Sequence, residues 1–155
     1  MKLKVADFYY GAVLSLLFNT GVDPALVESS NSRQIYDFTT DNVDFRIFIK
    51  YRTRGRLGVG GNYRSWQFTF SNTDLEEMFR FIKEDRNLLL ALVCGEEKLN
   101  ESEYAVLNSE EIKQCLGNDK TSITISRLKG EKAFRISIGG GRDSSLKIPS
   151  NRVIK

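Results

Sequence analysis

Five cations stand within fifteen residues, at Lys50, Arg52, Arg54, Arg56 and Arg64, and no acid interrupts them. Guanidinium forks match the oxygens of phosphate, so this stretch reads as a phosphate-seeking loop. Gly55, Gly58, Gly60 and Gly61 would keep it pliant, and Tyr63 offers a ring on which a nucleobase can stack. The net charge of the 155-residue chain is +3, of which residues 50 to 64 supply +5, leaving −2 for the rest. The basicity is local, and a local patch points to a localised anionic partner rather than to diffuse attraction.

Other chemistry is bounded by what is missing. The chain has no histidine, which removes the usual general base and the commonest soft metal ligand. An enzyme built from this chain would run on carboxylates, Lys, Tyr or an oxygen-ligated ion. Asp37 and Arg46 form a second candidate polar site, with the alternative that they are ordinary cross-strand ion pairing. Gly58-Val59-Gly60-Gly61 is not a nucleotide fingerprint, since neither a following helix nor a Gly-Lys-Ser/Thr accompanies it. No metal site and no cofactor are expected.

These residues need elements to hold them. Val5, Phe8, Tyr9, Ala12, Val13, Leu16 and Leu17 recur at helical spacing, and Tyr10, Leu14 and Phe18 widen the apolar surface almost all round, which predicts a deeply packed N-terminal helix ended by Gly21. From Gln34 the period changes to two. A strand there, a turn at Thr40-Asp41-Asn42, a second strand over Val43 to Arg52 and a third over Ser65 to Phe70 predict an antiparallel meander, with the basic loop as the long tip of its second hairpin. In the second strand Phe45, Ile47, Ile49 and Tyr51 form an apolar face, and Asp44, Arg46, Phe48, Lys50 and Arg52 the opposite, mostly charged one. Trp66, Phe68, Phe70 and Phe38 form its apolar inner face. Thr73-Asp74-Leu75-Glu76 resembles a capping box opening a helix that ends near Asp85.

Leu88 to Val93, continuously apolar, reads as a central strand covered on both faces. A short strand at Tyr104 to Leu107, a helix capped by Ser109 and ending at Gly117, and a hairpin of Ile123–Ile125 with Phe134–Ile138 complete the order. Gly139 to Arg142 reads as a second partly basic loop leading to a loosely held C-terminus, with the alternative that, together with Lys147 and Arg152, it extends a basic surface. The expected architecture is one α+β (mixed α/β) domain over residues 1 to 155. Cys94 and Cys115 lie in apolar company and read as buried thiols of a reduced compartment, so the chain is expected to be cytoplasmic, with no membrane span.

That order, with a strand ending in Phe48-Ile49-Lys50, resembles the PD-(D/E)XK nuclease-like fold over residues 5 to about 107. The resemblance implies a helix, a meander bearing an Asp on one strand and a Glu-x-Lys on the next, then a helix and a buried strand. Lys50 matches the lysine and Asp37 is the best candidate for the acid, whereas Phe48 occupies the place of the glutamate. Asp37 and Lys50 would lie on one face but four strand positions, roughly 13 Å, apart, too far to share a metal.

The leading expectation is therefore a binding domain for nucleic acid or another phosphate-bearing ligand, using Lys50, Arg52, Arg54, Arg56, Tyr63 and Arg64. The alternative is a protein-interaction module, such as an immunity, anti-defence or regulatory protein, whose basic loop meets an acidic partner surface. A Mg²⁺-dependent nuclease is a second alternative. The acidic stretch Glu96, Glu97, Glu101, Glu103, Glu110 and Glu111 is expected to be a solvated rim or a docking face for a basic partner.

Overall fold

The computed structural model describes residues 1–30, 32–39, 43–58, 60–139, 144–152 and 154. Helix α1 (Val5–Asn19) leads into an antiparallel meander of β1 (Ala25–Ser29), β2 (Gln34–Thr39) and β3 (Asp44–Arg52). Next come β4 (Arg56–Leu57), β5 (Tyr63–Thr69), α2 (Asn72–Lys83), β6 (Asn87–Cys94), β7 (Glu103–Leu107) and α3 (Ser109–Cys115). Strands β8 (Ser122–Leu128), β9 (Ala133–Ile136) and β10 (Leu146–Pro149) close the chain. This is an α+β fold, as the residue pattern implies.

Two five-stranded sheets result. Sheet one runs β1-β2-β3-β6-β7, antiparallel except that β6 lies parallel to β3. Sheet two runs β10-β9-β8-β5-β4 and is antiparallel throughout.

Sheet one is the middle layer, and its strands alternate accordingly. Ile47 and Ile49 of β3, with Ala91 and Val93 of β6, pack against Tyr9, Tyr10, Val13 and Leu17 of α1. Phe48, Leu90 and Leu92 point the other way, into a core shared with Trp66, Phe68, Ile125 and Phe134 of sheet two and with Met78 and Phe81 of α2. Strand β6, with six of its eight residues buried, is the two-face-covered strand its apolar run predicts.

The expected hairpin between β3 and β5 does not form. The two strands belong to different sheets, so the basic segment is a crossover that ends in the small β4–β5 hairpin. The reason lies in their side chains: β3 is buried on both faces, because Phe48 sits on the side opposite Ile47 and Ile49, and such a strand must be central in a sheet covered twice. In β5 only Trp66 and Phe68 are buried while Arg64, Gln67 and Thr69 are exposed, which suits a sheet covered once. The meander is instead completed by β1, whose half-exposed sequence carries no alternation.

Other boundaries shift for reasons of capping. Helix α2 is capped by Ser71, whose hydroxyl accepts from the Asp74 amide at 3.1 Å while the Asp74 carboxylate accepts from the Ser71 amide at 3.0 Å. The capping box is thus two residues earlier than expected. Asn108, not Ser109, caps α3 through the same exchange with Glu111.

The C-terminal segment is held more firmly than expected. Arg152 pairs with Glu111 and donates to the Val106 carbonyl at 2.9 Å, and Ile154 is buried under α1's side of sheet one. Of the expected turn at Thr40-Asp41-Asn42 and the second glycine loop, residues 40 to 42 and 140 to 142 lie outside the described residues.

Helix α1 is the larger surprise. Its apolar pattern predicts burial nearly all round, yet only Ala6, Tyr9, Tyr10, Val13 and Leu17 are buried. Val5, Phe8, Leu16 and Phe18 are 53, 47, 37 and 57% exposed. The helix lies on one face of a sheet at the edge of the molecule, so nothing else in the described chain covers its outer side.

Candidate functional site

The basic segment is pinned along its length. Where β3 ends, the Arg52 carbonyl accepts from the Gly95 amide at 2.8 Å, and the Thr53 carbonyl accepts from the Tyr9 hydroxyl at 3.3 Å. Its glycines serve close packing as much as freedom. A methyl on Gly55 would sit 2.7 Å from the Trp66 ring, and one on Gly58 would sit 2.3 Å from the Tyr63 ring. Tyr63 is therefore half-buried with one ring face against Gly58. Gly60 and Gly61 alone in the segment have positive φ among the described residues, 84° and 70°, and form the turn into β5. Val59 lies outside the described residues.

The six residues do not converge. Lys50 is turned inward: its ammonium donates to the Thr69 carbonyl at 2.6 Å and to Asp74 at 3.1 Å, 4.8 Å from the centre of the Phe70 ring. Arg64 pairs with Glu96, and Arg54 stands 3.8 Å from Glu97, both of these last two side chains being exposed. Arg52 and Arg56 are exposed and, among the described residues, carry no ion pair. The crossover thus brings the basic segment up to the loop after β6, where the acidic stretch begins. Charges that are 32 residues apart in sequence neutralise one another there.

At that junction Tyr63, Arg64, Trp66, Glu96, Glu103 and Arg127 line a cavity of about 440 Å³. Burial pushes the Glu96 carboxyl above its ordinary value; Arg64 opposes this, and the nearby Glu101 and Glu103 charges reinforce it. Arg127 pairs with Glu103 at 3.2 Å and lies over the Phe134 ring, its Nη1 buried without a hydrogen-bond partner.

Asp37 and Arg46 sit opposite each other, as the residue register requires, and pair in bidentate fashion at 2.7 and 3.0 Å. The Asp37 hydrogen bond raises the Arg46 guanidinium above its ordinary value despite partial burial. The Arg46 guanidinium also stacks 4.8 Å from the Phe81 ring. Asp37 lines a cavity of about 440 Å³ with Asp23, Asp44 and Arg86, whereas Lys50 lines a separate one of about 340 Å³ with Arg52 and Thr69. Phe48, at the position of the nuclease-like glutamate, is 1% exposed in the core. Among the described residues no group of three His, Cys, Asp or Glu stands close enough to hold a metal ion.

One ionic cluster escapes sequence reasoning altogether. Arg33, between β1 and β2, pairs with Glu28 at 2.7 Å, Asp74 at 2.6 Å and Glu77 at 3.2 Å, and Asp74 also holds Lys50. Arg33 and Asp74 are 7 and 5% exposed. Burial alone would raise the Asp74 carboxyl, but the Ser71 amide together with Lys50 and Arg33 outweighs it and holds the carboxyl below its ordinary value. The cluster anchors α2 to the meander. The one available sequence signal was the acid of a capping box, which the two-residue shift at α2 concealed.

The outer side of α1 is the remaining feature with chemistry to offer. Phe8, Ala12 and Leu16 form one wall of a groove of about 390 Å³ whose other wall is Val93, Leu99 and Tyr104. Its lining is predominantly apolar. No described helix is long and apolar enough to cross a membrane. No protein-family model, no curated protein and no solved structure matches this chain.

Proposed function

We propose that this protein is an interaction module that seats an apolar segment of a polypeptide against the outer face of α1, the protein-binding alternative with the helix rather than the basic loop at its centre. The observation that carries the reading is that α1 is apolar on both sides. One side is consumed by sheet one; round the rest of the helix Val5, Phe8, Leu16 and Phe18 are exposed, and Phe8 and Leu16 line a preformed groove. A helix of this kind on a folded domain ordinarily has something against each side. Cys94 and Cys115, free and buried, support a reducing compartment such as the cytoplasm.

A photo-cross-linking residue placed at Phe8 or Leu16 in the expressed full chain is expected to trap polypeptide adducts, while the same group at exposed Gln67 on sheet two traps none. The absence of adducts from both helix positions overturns the reading.

Phosphate binding is a second reading, favoured by a specific observation: Arg52, Arg54 and Arg56 remain exposed on a backbone held in place at Arg52 and Thr53. The ligand set is then these three, without Lys50 and Arg64. For a mixed-sequence DNA duplex, the double variant Arg54→Ala/Arg56→Ala should flatten the dependence of log K on log salt by about two units, near 0.9 for each lost phosphate contact. An unchanged slope removes the loop from any such function. A nuclease-like ancestry would share the order α1, β1-β2-β3, α2, β6 with β6 parallel to β3, into which this chain inserts β4 and β5 of the second sheet. Nothing in the arrangement of Asp37, Phe48 and Lys50 supports cleavage.

A further inference from the structure

We infer that the occupant of the α1 face is a second copy of this chain, packed antiparallel through a two-fold axis at Ala12; the inference rests on the reading of α1 as a docking face. Ala12 is the midpoint of Val5–Asn19, so a two-fold there overlaps the two helices along their full length. In that register Phe8 of each copy meets Leu16 of the other, four residues to either side of the axis. Both are exposed and both line the groove. The centre of the face is small: Gly11, Ala12 and Ser15 are all exposed, and a methyl on Gly11 would meet nothing within 4 Å. A small centre lets the two helices cross closely at the axis, with Phe8 and Leu16 of the two copies packing to either side of the crossing.

The charges agree with the same orientation. Exposed Lys2 and Lys4 precede α1, and no basic residue stands in its last turn. The carbonyl end of the helix, followed by exposed Asp23, is therefore left without a cation of its own. An antiparallel copy brings its Lys2 and Lys4 towards the segment from Thr20 to Asp23. A parallel arrangement would instead bring lysines onto lysines.

Sedimentation velocity and light scattering on the full chain at about 100 μM, where a Kd of about 10 μM leaves most chains paired, should give twice the 17.7 kDa chain mass. Ala12→Glu sets two like charges at the axis and should weaken the dimer by about 100-fold or more, with the far-ultraviolet spectrum and melting temperature retained. Phe8→Ser, at a half-exposed position, is the second variant and should weaken it by about tenfold. Asp23→Lys and Lys2→Glu should each weaken self-pairing, and mixing the two should restore it.

A monomeric wild type, or a dimer indifferent to both Ala12→Glu and Phe8→Ser, overturns the inference. Cross-links from Phe8 to a different polypeptide, with a monomeric wild type, would retain the docking face while removing the second copy. A monomer with no cross-links removes both.

Discussion

Asp74→Ala should lower the unfolding free energy by about 3–5 kcal/mol, the range for breaking one partner out of a buried charge network. Asp74 serves three roles at once. Its carboxylate neutralises Arg33, which is 7% exposed, it holds the Lys50 ammonium, and it closes the capping box with Ser71. Removal leaves a buried guanidinium with only Glu28 and Glu77, both nearer the solvent, and frees the first turn of α2. Urea denaturation with an unchanged m-value is the measurement.

Asp74→Asn retains the shape and one acceptor oxygen, enough for the cap but not for Arg33 as well, so it should lose less than Asp74→Ala by about 1 kcal/mol. Glu97→Ala, which removes only the exposed partner of Arg54, is the control and should change stability by less than about 0.5 kcal/mol. A loss below about 1 kcal/mol in Asp74→Ala would mean that the cluster does not anchor α2.

The same residue sets a pH dependence whose sign follows from its depressed carboxyl. In the unfolded chain it titrates at the ordinary aspartate value, and in the folded chain lower, held down against the effect of burial by the Ser71 amide, Lys50 and Arg33. The stabilisation is complete above the unfolded value and is lost as pH falls below it towards the folded one. Wild type should therefore lose more stability than Asp74→Asn below about pH 4, and the two should run parallel above about pH 5. Identical acid limbs would show that Asp74 contributes no linkage.

Phe48→Ala should cost about 3–5 kcal/mol, and Phe48→Glu should prevent folding at ordinary temperatures. Phe48 is 1% exposed, faces sheet two, and carries the Arg33 guanidinium 5.2 Å from its ring centre. Truncation opens a cavity between the two sheets where neither can close in, since β3 is fixed on both sides by β2 and β6. A glutamate there would be an ion in the core, beside a guanidinium that Asp74 already neutralises. Expression of soluble Phe48→Glu with wild-type circular dichroism would contradict the packing and reopen the question of an acidic site at this position. Against a total stability of about 5–15 kcal/mol, either of these losses is large enough to read without ambiguity.

How much of this was legible depended on whether the governing interaction was local. The strand at Leu88 to Val93, the alternation of Phe45 to Tyr51 and the pairing of Asp37 with Arg46 follow from period and turn length, and the structure bears each out. The partner sheet of β5 was not legible. Trp66 and Phe68 show an apolar face but not which strands lie beside it, and β8, which pairs with β5, is more than fifty residues later. The decisive clue was Phe48 on the charged side of β3, since an apolar residue there means a strand covered twice. The glycines misled for the same reason: Gly55 and Gly58 are set by rings that fold back onto them, and composition alone does not distinguish that from a pliant loop.

The residues by themselves determined the class of the fold, the absence of histidine chemistry and the location of a cationic segment, because these depend on local periodicity and on which side chains are present. Only the tertiary structure decided what those cations meet. It turned Lys50 onto Asp74 and Arg64 onto Glu96, left Arg52, Arg54 and Arg56 outside, and exposed one side of a helix whose sequence reads as buried. The physical reason is that charge pairing and burial are set by neighbours across sheets and helix faces. Those neighbours come from chain segments tens of residues apart, and no spacing within one segment encodes them.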